Sequence, residues 1–159
     1  MPHESGAGGR GAMIVGVGMD LVDIERVERL VTRSAERALQ RLFTEGERAY
    51  ALARAHPARH LAARVAAKEA TFKALSAHPE ARAIGWRDME VVSQDGCAPS
   101  LALHGVAARC AAELGVARAW LTLSHSDATA GAVVVLEGGA GASSSDLSGV
   151  RGGPPPTSG

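Results

Sequence analysis

The sequence predicts an α+β domain in which a small antiparallel sheet packs with one long helix. Three observations carry that expectation. Helical and strand-like segments are mixed without the regular βαβ alternation of a parallel sheet. A long helical pattern runs from about Arg59 to Ser76. A chain of 159 residues suits one core and is too short for two.

The elements follow in order. Residues 1–12 are Gly-rich and aperiodic, and 138–159 are Gly, Ser and Pro with hardly an apolar anchor. Neither segment buries enough surface to offset its ordering entropy, so flexible tails are expected around a working domain of 13–137. Met13 stands directly before the first apolar run and is an alternative start. Met13 to Met19 reads as a short buried strand with Asp20 at its end. An amphipathic helix follows, with Ile24, Val27, Leu30 and Val31 facing inward. Residues 36–55 read as helix in one or two pieces, interrupted near Gly46, and His56-Pro57 ends or redirects them. After the long helix, Met89 to Ser93 is a strand, Gln94-Asp95-Gly96 a turn and Ser100 to His104 a second strand. Val106 to Leu114 is an Ala-rich helix closed by Gly115. Trp120 to Leu123 and Ala130 to Leu136 form a last pair of strands around Ser124-His125-Ser126-Asp127.

Composition narrows the function classes. The 17 basic and 17 acidic side chains cancel, which leaves no basic footprint for nucleic acid. No apolar run approaches the ~20 residues needed to span a bilayer. The opening Met1-Pro2-His3-Glu4-Ser5-Gly6 lacks the basic and apolar regions of a secretory signal. Cys97 and Cys110 have no metal-type spacing. They read as reduced thiols of a cytoplasmic protein, with Cys110 packed in a helix.

The chemistry concentrates on the long helix. At 3.6 residues per turn Leu61, Val65, Phe72 and Leu75 form one apolar stripe, and Glu69 borders it. A carboxylate against a core is costly unless a cation, a metal or a hydrogen-bond donor satisfies it. Lys73, one turn on, offers an ordinary i,i+4 ion pair. Arg64 and Lys68, also four apart, repel unless solvent or an anionic partner separates them. A carboxylate ringed by cations fits a magnesium-bound phosphate ester, with oxygens on the metal and cations on the phosphates. Asp20 suits either a rigid ligand position at a strand end or a helix N-cap, as does Asp23. Gly16-Val17-Gly18 lacks the Lys-Ser/Thr continuation of a nucleotide-binding phosphate loop, and its glycines equally allow another backbone to pass close by. Ser124, His125 and Asp127 are strand neighbours that alternate faces, so they cannot form a hydrolase triad by themselves. His125 at a strand end remains able to touch a phosphate or a nucleotide.

Together these pieces resemble the small holo-acyl-carrier-protein synthases, the AcpS-type 4′-phosphopantetheinyl transferases. Gly16 to Arg26 is similar to the family's opening G-x-D motif and following helix. Arg41-Leu42-Phe43-Thr44-Glu45-Gly46-Glu47 is similar to its short middle motif. Leu61 to Leu75 resembles the KEA-x-x-K helix, and Leu123-Ser124-His125-Ser126 the C-terminal strand motif. The resemblance implies transfer of the phosphopantetheine arm of coenzyme A to a serine of an apo acyl carrier protein, with release of adenosine 3′,5′-bisphosphate. It implies Mg2+ held by Asp20 and Glu69, Lys68 and Lys73 near the phosphates with Arg64 among the coenzyme-binding cations, and His125 and Ser126 lining the coenzyme site. It also implies a homotrimer with active sites between subunits. Either Glu69 or a metal-bound water would take the serine proton. Two departures stand out. Leu75-Ser76-Ala77-His78-Pro79 replaces a Gly-rich turn expected at the coenzyme phosphates, and Gly96-Cys97-Ala98-Pro99 replaces a G-K-P segment. The alternative is a catalytically weak module that binds coenzyme A or the carrier protein; intact Asp20, Glu69 and Lys73 argue against it.

Overall fold

The structure, a computed structural model, describes residues 12–139. The two expected tails lie outside that range except for Ala12, Gly138 and Gly139. The element order is β1 (Met13–Asp23), α1 (Ile24–Leu42), α2 (Glu45–Leu52), α3 (Pro57–Ala74), β2 (Met89–Val92), β3 (Ser100–Leu103), α4 (Gly105–Glu113), β4 (Val116–His125) and β5 (Thr129–Gly138). Short 3-10 turns at Ala81–Ala83 and Trp86–Asp88 lead from α3 into β2. One three-stranded antiparallel sheet has the order β1-β5-β4, and β2 and β3 form a separate two-stranded ribbon. The α+β expectation holds, and the long helix α3 is the central element, packed on β1 and β5.

The close seat of α3 on β1 is written in small residues. Ala66, Ala67, Ala70 and Ala74 are buried on the sheet side of the helix. Opposite them stand Gly16 and Gly18, where an added methyl group would collide with the carbonyls of Ala74 and Ala70. The glycine pair therefore serves backbone approach and is not a phosphate loop.

This geometry corrects the expected stripe. Leu61 and Leu75 are fully buried, but Val65, Glu69 and Phe72 are only half-buried and border open space. The main core-facing row is the alanines, which carry too weak a hydrophobic signal to stand out in a periodicity count.

Other boundaries move for local reasons. β1 continues four residues beyond Met19, so Asp20 lies inside a strand, and Asp23 caps α1 by accepting the Glu25 N–H at 2.9 Å. The helix break falls at Phe43-Thr44 and not at Gly46, which sits inside α2. Thr44 caps α2 in a full capping box with Glu47, while buried Phe43 plugs the core. β1 is not buried on both faces, because Val17, Met19 and Leu21 point outward and are more than half exposed. β4 and β5 are longer than expected, and alternate residues Ala130, Ala132, Val134 and Leu136 of β5 form the buried face. Cys110 is buried in α4, as expected.

Candidate active site

β1 and α3 bring Asp20 and Glu69 to one groove, and Lys73 reaches Asp20 from beside it. Lys73 Nζ donates to Asp20 Oδ1 at 2.9 Å and to the Met19 carbonyl at 2.9 Å. The Glu69–Lys73 pair that the spacing permits does not form, because Lys73 turns across to the strand. Asp20, Asp23 and Glu69 line a groove of about 830 Å³ with apolar walls that include Val27, Val65 and Trp86. That volume falls in the ~300–1,000 Å³ range of small-molecule sites.

Among the described residues no three His, Cys, Asp or Glu side chains group into a complete metal cage. The donor set on offer is carboxylate oxygens alone. Such a set fits Mg2+, which takes one or two carboxylates and fills its remaining positions with water and substrate phosphates.

Lys68 and Arg64 do not line the carboxylate groove. Lys68 is fully buried, with its ammonium 2.9 Å from Glu47 Oε2. It also donates to the carbonyls of Trp86, at 2.8 Å, and Met89. Its three N–H donors are thus taken inside the protein, and its anionic partner is the chain's own Glu47. Burial pushes the Lys68 ammonium down from its ordinary value, while the Glu47 carboxylate pulls it back up. Glu47 is equally occupied, accepting from the backbone of Thr44 and Val91, each at 2.9 Å. Lys68 is therefore an interior group that joins α2, α3 and β2.

Arg64 is 2% exposed and donates to the His60 carbonyl at 3.1 Å and Ser93 Oγ at 2.9 Å, with Tyr50 stacked 4.5 Å from its guanidinium. It faces a second, smaller cleft of about 160 Å³, which it lines with His60, Cys97 and His125. Burial and the neighbouring Arg64 push His60 down, so its imidazole stays neutral near pH 7. His125 ends β4 at this cleft, but Ser126 does not line it; Ser126 Oγ accepts from Ala128 and Thr129 N–H groups in the β4–β5 turn. Among the described residues the two clefts share no lining residue, so the carboxylates and His125 do not face a single space there.

Several site-lining residues escaped the sequence reading. Arg26, Arg29 and Arg33 on α1 border the carboxylate groove. Their helical spacing, opposite Ile24 and Val27, was the available signal. Glu47 was visible as the last member of a T-x-x-E capping box, but nothing in the sequence paired it with Lys68. The turn after α3 is held by buried His78, whose Nε2 lies 2.7 Å from Glu113 on α4 and whose Nδ1 accepts from Glu80 N–H. An anchored, side-chain-bonded turn stands where a Gly-rich one was expected.

Fold and groove define a small α+β protein that presents carboxylates to an open site, with a lysine bonded to one of them. The family model described as the 4′-phosphopantetheinyl transferase superfamily matches residues 16–133. The chain belongs to that family. It is 49% identical over 129 residues to the holo-[acyl-carrier-protein] synthase of Anaeromyxobacter dehalogenans strain 2CP-1, covering 79% of this chain and 98% of that one. The acyl carrier protein synthase structure of Mycobacterium tuberculosis is 38% identical with a TM-score of 0.60, covering 79% of this chain and 99% of the other. The Helicobacter pylori holo-[acyl-carrier-protein] synthase in complex with coenzyme A is 25% identical with a TM-score of 0.64, covering 76% and 98%.

Proposed function

We propose that this protein transfers the 4′-phosphopantetheine arm of coenzyme A to a serine of an apo acyl carrier protein and releases adenosine 3′,5′-bisphosphate. Family membership and relatives named for that activity support the reaction. The observation that carries the site assignment is the joint placement of Asp20 from β1 and Glu69 from α3 on one groove, with Lys73 bonded to Asp20 beside it.

The reaction forms a bond from the serine oxygen to the phosphorus bearing the pantetheine and breaks that phosphorus's bond to the bridging oxygen. The chain's residues hold the reactants and balance their charge. Asp20 and Glu69 would hold Mg2+, which supplies charge neutralisation on the phosphates when bound. Lys73 has two N–H donors engaged and a third free for an oxygen of the departing phosphate. Arg26, Arg29 and Arg33 give the groove a cationic edge for an acidic protein acceptor.

Arg64 and His125 are assigned to the phosphate and nucleotide end of the coenzyme, contributed from a neighbouring subunit. Support comes from their separation from the carboxylates in one chain and from the outward row Val17, Met19 and Leu21, an apolar face that is not covered by any of the described residues. A homotrimer that buries this face completes the site. We place the protein in the cytoplasm, since Cys97 and Cys110 are both free and no helix among the described residues is long and apolar enough to cross a membrane.

The direct experiment incubates the protein with coenzyme A, Mg2+ and an apo carrier protein and reads the carrier's mass. A gain of one phosphopantetheine arm is expected, stopped by a chelator and largely abolished by Glu69→Ala. No gain with any of several carriers would leave the binding-module reading. For the assembly, Val17→Asp should yield monomers by sedimentation and lose transfer; a trimer that survives this charge would refute the sheet face as the interface.

A further inference from the structure

The Arg64–His125 cleft carries a thiol on its wall. Cys97 is exposed in the β2–β3 turn, just after Gly96, and lines the cleft with Tyr50, Arg59 and His60. A cysteine alone would say little, but the floor beneath it is unusual. Arg64 is almost completely buried, its Nε has no hydrogen-bond partner, and among the described residues no carboxylate lies within salt-bridge distance of it. Arg59 reaches its nearest carboxylate, Asp127, only at 3.7 Å. A buried guanidinium with no direct salt-bridge partner, and only the field of Glu47 to offset its charge, is costly, and its surroundings favour an anion arriving from outside. At about 160 Å³ the cleft is smaller than the ~300 Å³ of a whole-ligand site, so it suits one charged group of a longer molecule.

We propose that Cys97 is a thiol–disulfide exchange site selective for disulfides of anionic thiols, whose charged group is held by Arg64 while the sulfur reaches Cys97. The Cys97 thiolate attacks one sulfur of the disulfide. A new S–S bond forms to that sulfur as the original S–S bond breaks, and the other half leaves as a thiolate that takes up the proton lost by Cys97. The disulfide supplies the oxidising equivalent, so no other oxidant is required. Positive charge in a concave wall raises the local concentration of such anions. Cys110 does not compete: it is fully buried, and burial pushes its thiol up. The consequence for activity, an adduct that occupies the cleft and blocks coenzyme A, rests on the assignment of this cleft under the proposed function; the exchange site itself does not.

The test treats the reduced full-length protein with glutathione disulfide, coenzyme A disulfide or the neutral bis(2-hydroxyethyl) disulfide, and follows intact mass and peptide maps. Rates are referred to those of free cysteine with each reagent. Both anionic disulfides should give one reductant-reversible adduct at Cys97, favoured over the neutral one by roughly tenfold or more. The preference should shrink as salt is raised. Cys97→Ser should take no adduct, and Arg64→Gln should lose the anion preference. Should Arg64→Gln fail to fold, the salt dependence of the unmodified sequence carries the same information. Equal relative rates with the neutral disulfide, or an adduct on Cys110, would overturn the proposal. An adduct at Cys97 that leaves coenzyme turnover unchanged would uphold the exchange site and remove the coenzyme assignment of the cleft.

Discussion

Two lysine–carboxylate pairs anchor the same helix, and their N–O distances are identical at 2.9 Å. Lys68–Glu47 is 0% exposed on both sides, whereas Lys73 is 52% and Asp20 20% exposed. The buried pair has every donor and acceptor committed to the protein, so it has nothing left for a ligand. The Lys73–Asp20 pair keeps, among the described residues, one uncommitted donor on Lys73, and both members are open to solvent. Equal geometry thus separates into opposite roles through solvent alone: one pair fixes how three elements pack, and the other holds charge available for chemistry.

Substitution should expose that difference. Removing the buried cation has the largest expected effect. Lys68→Met leaves Glu47 charged and unpaired and should cost about 3–5 kcal/mol in denaturant-induced unfolding. Adding Glu47→Leu should restore much of it, because a matched apolar pair removes both charges. If Lys68→Met unfolds at the same denaturant concentration as the parent, the buried pair has been misread.

Lys73→Ala should do the reverse. Its stability change should stay within about 1 kcal/mol, as for other solvent-screened pairs. Turnover should nonetheless fall by roughly 10²–10³, the size seen when one donor to a developing charge is removed. A stability loss rivalling that of Lys68→Met would erase the contrast.

The smallest effect concerns Glu90, a half-buried carboxylate near the buried pair. Burial pushes its carboxyl up, but hydrogen bonds from Thr44 at 2.8 Å and with His104 at 2.8 Å outweigh this, and the net shift is downward. As pH falls, the unfolded chain therefore takes up this proton first. The stability that Glu90 contributes is full above the ordinary carboxylate value of ~4.3 and is lost as pH drops through its lower folded value. Acid unfolding of Glu90→Gln should show a shallower pH dependence across that interval, and an unchanged slope would count against the assignment.

How much of this was legible in the sequence depended on the range of the interaction. The order of elements and the α3 motif could be read because helix periodicity and motif spacing are local, whereas the joint use of Asp20 and Glu69 came only from the family resemblance. The capping box at Thr44 and Glu47 was equally local and was available to read. The fate of Lys68 was not, since Glu47 lies 21 positions earlier, on another helix, and only tertiary packing brings the two together. The outward face of β1 was hidden for a different reason: Val17, Met19 and Leu21 alternate with Gly18 and partly covered Asp20, so the run looked uniformly interior. The second cleft joins Tyr50, Arg64, Cys97 and His125 from four separate stretches of chain. No window of sequence contains it.

The glycine–alanine contact between β1 and α3 has a consequence for the span of the site. Gly18 lies two residues before Asp20, and Ala70 lies one after Glu69, so two main chains touch beside the carboxylates. The separation of the strand and helix that carry Asp20 and Glu69 is therefore set by main-chain contact at Gly18 and Ala70, with no room there for a side chain. Drift in the surrounding core can proceed without retuning that gauge, whereas a single methyl group at Gly18 would reset it. The carboxylates are positioned by the part of a protein that point mutation alters least.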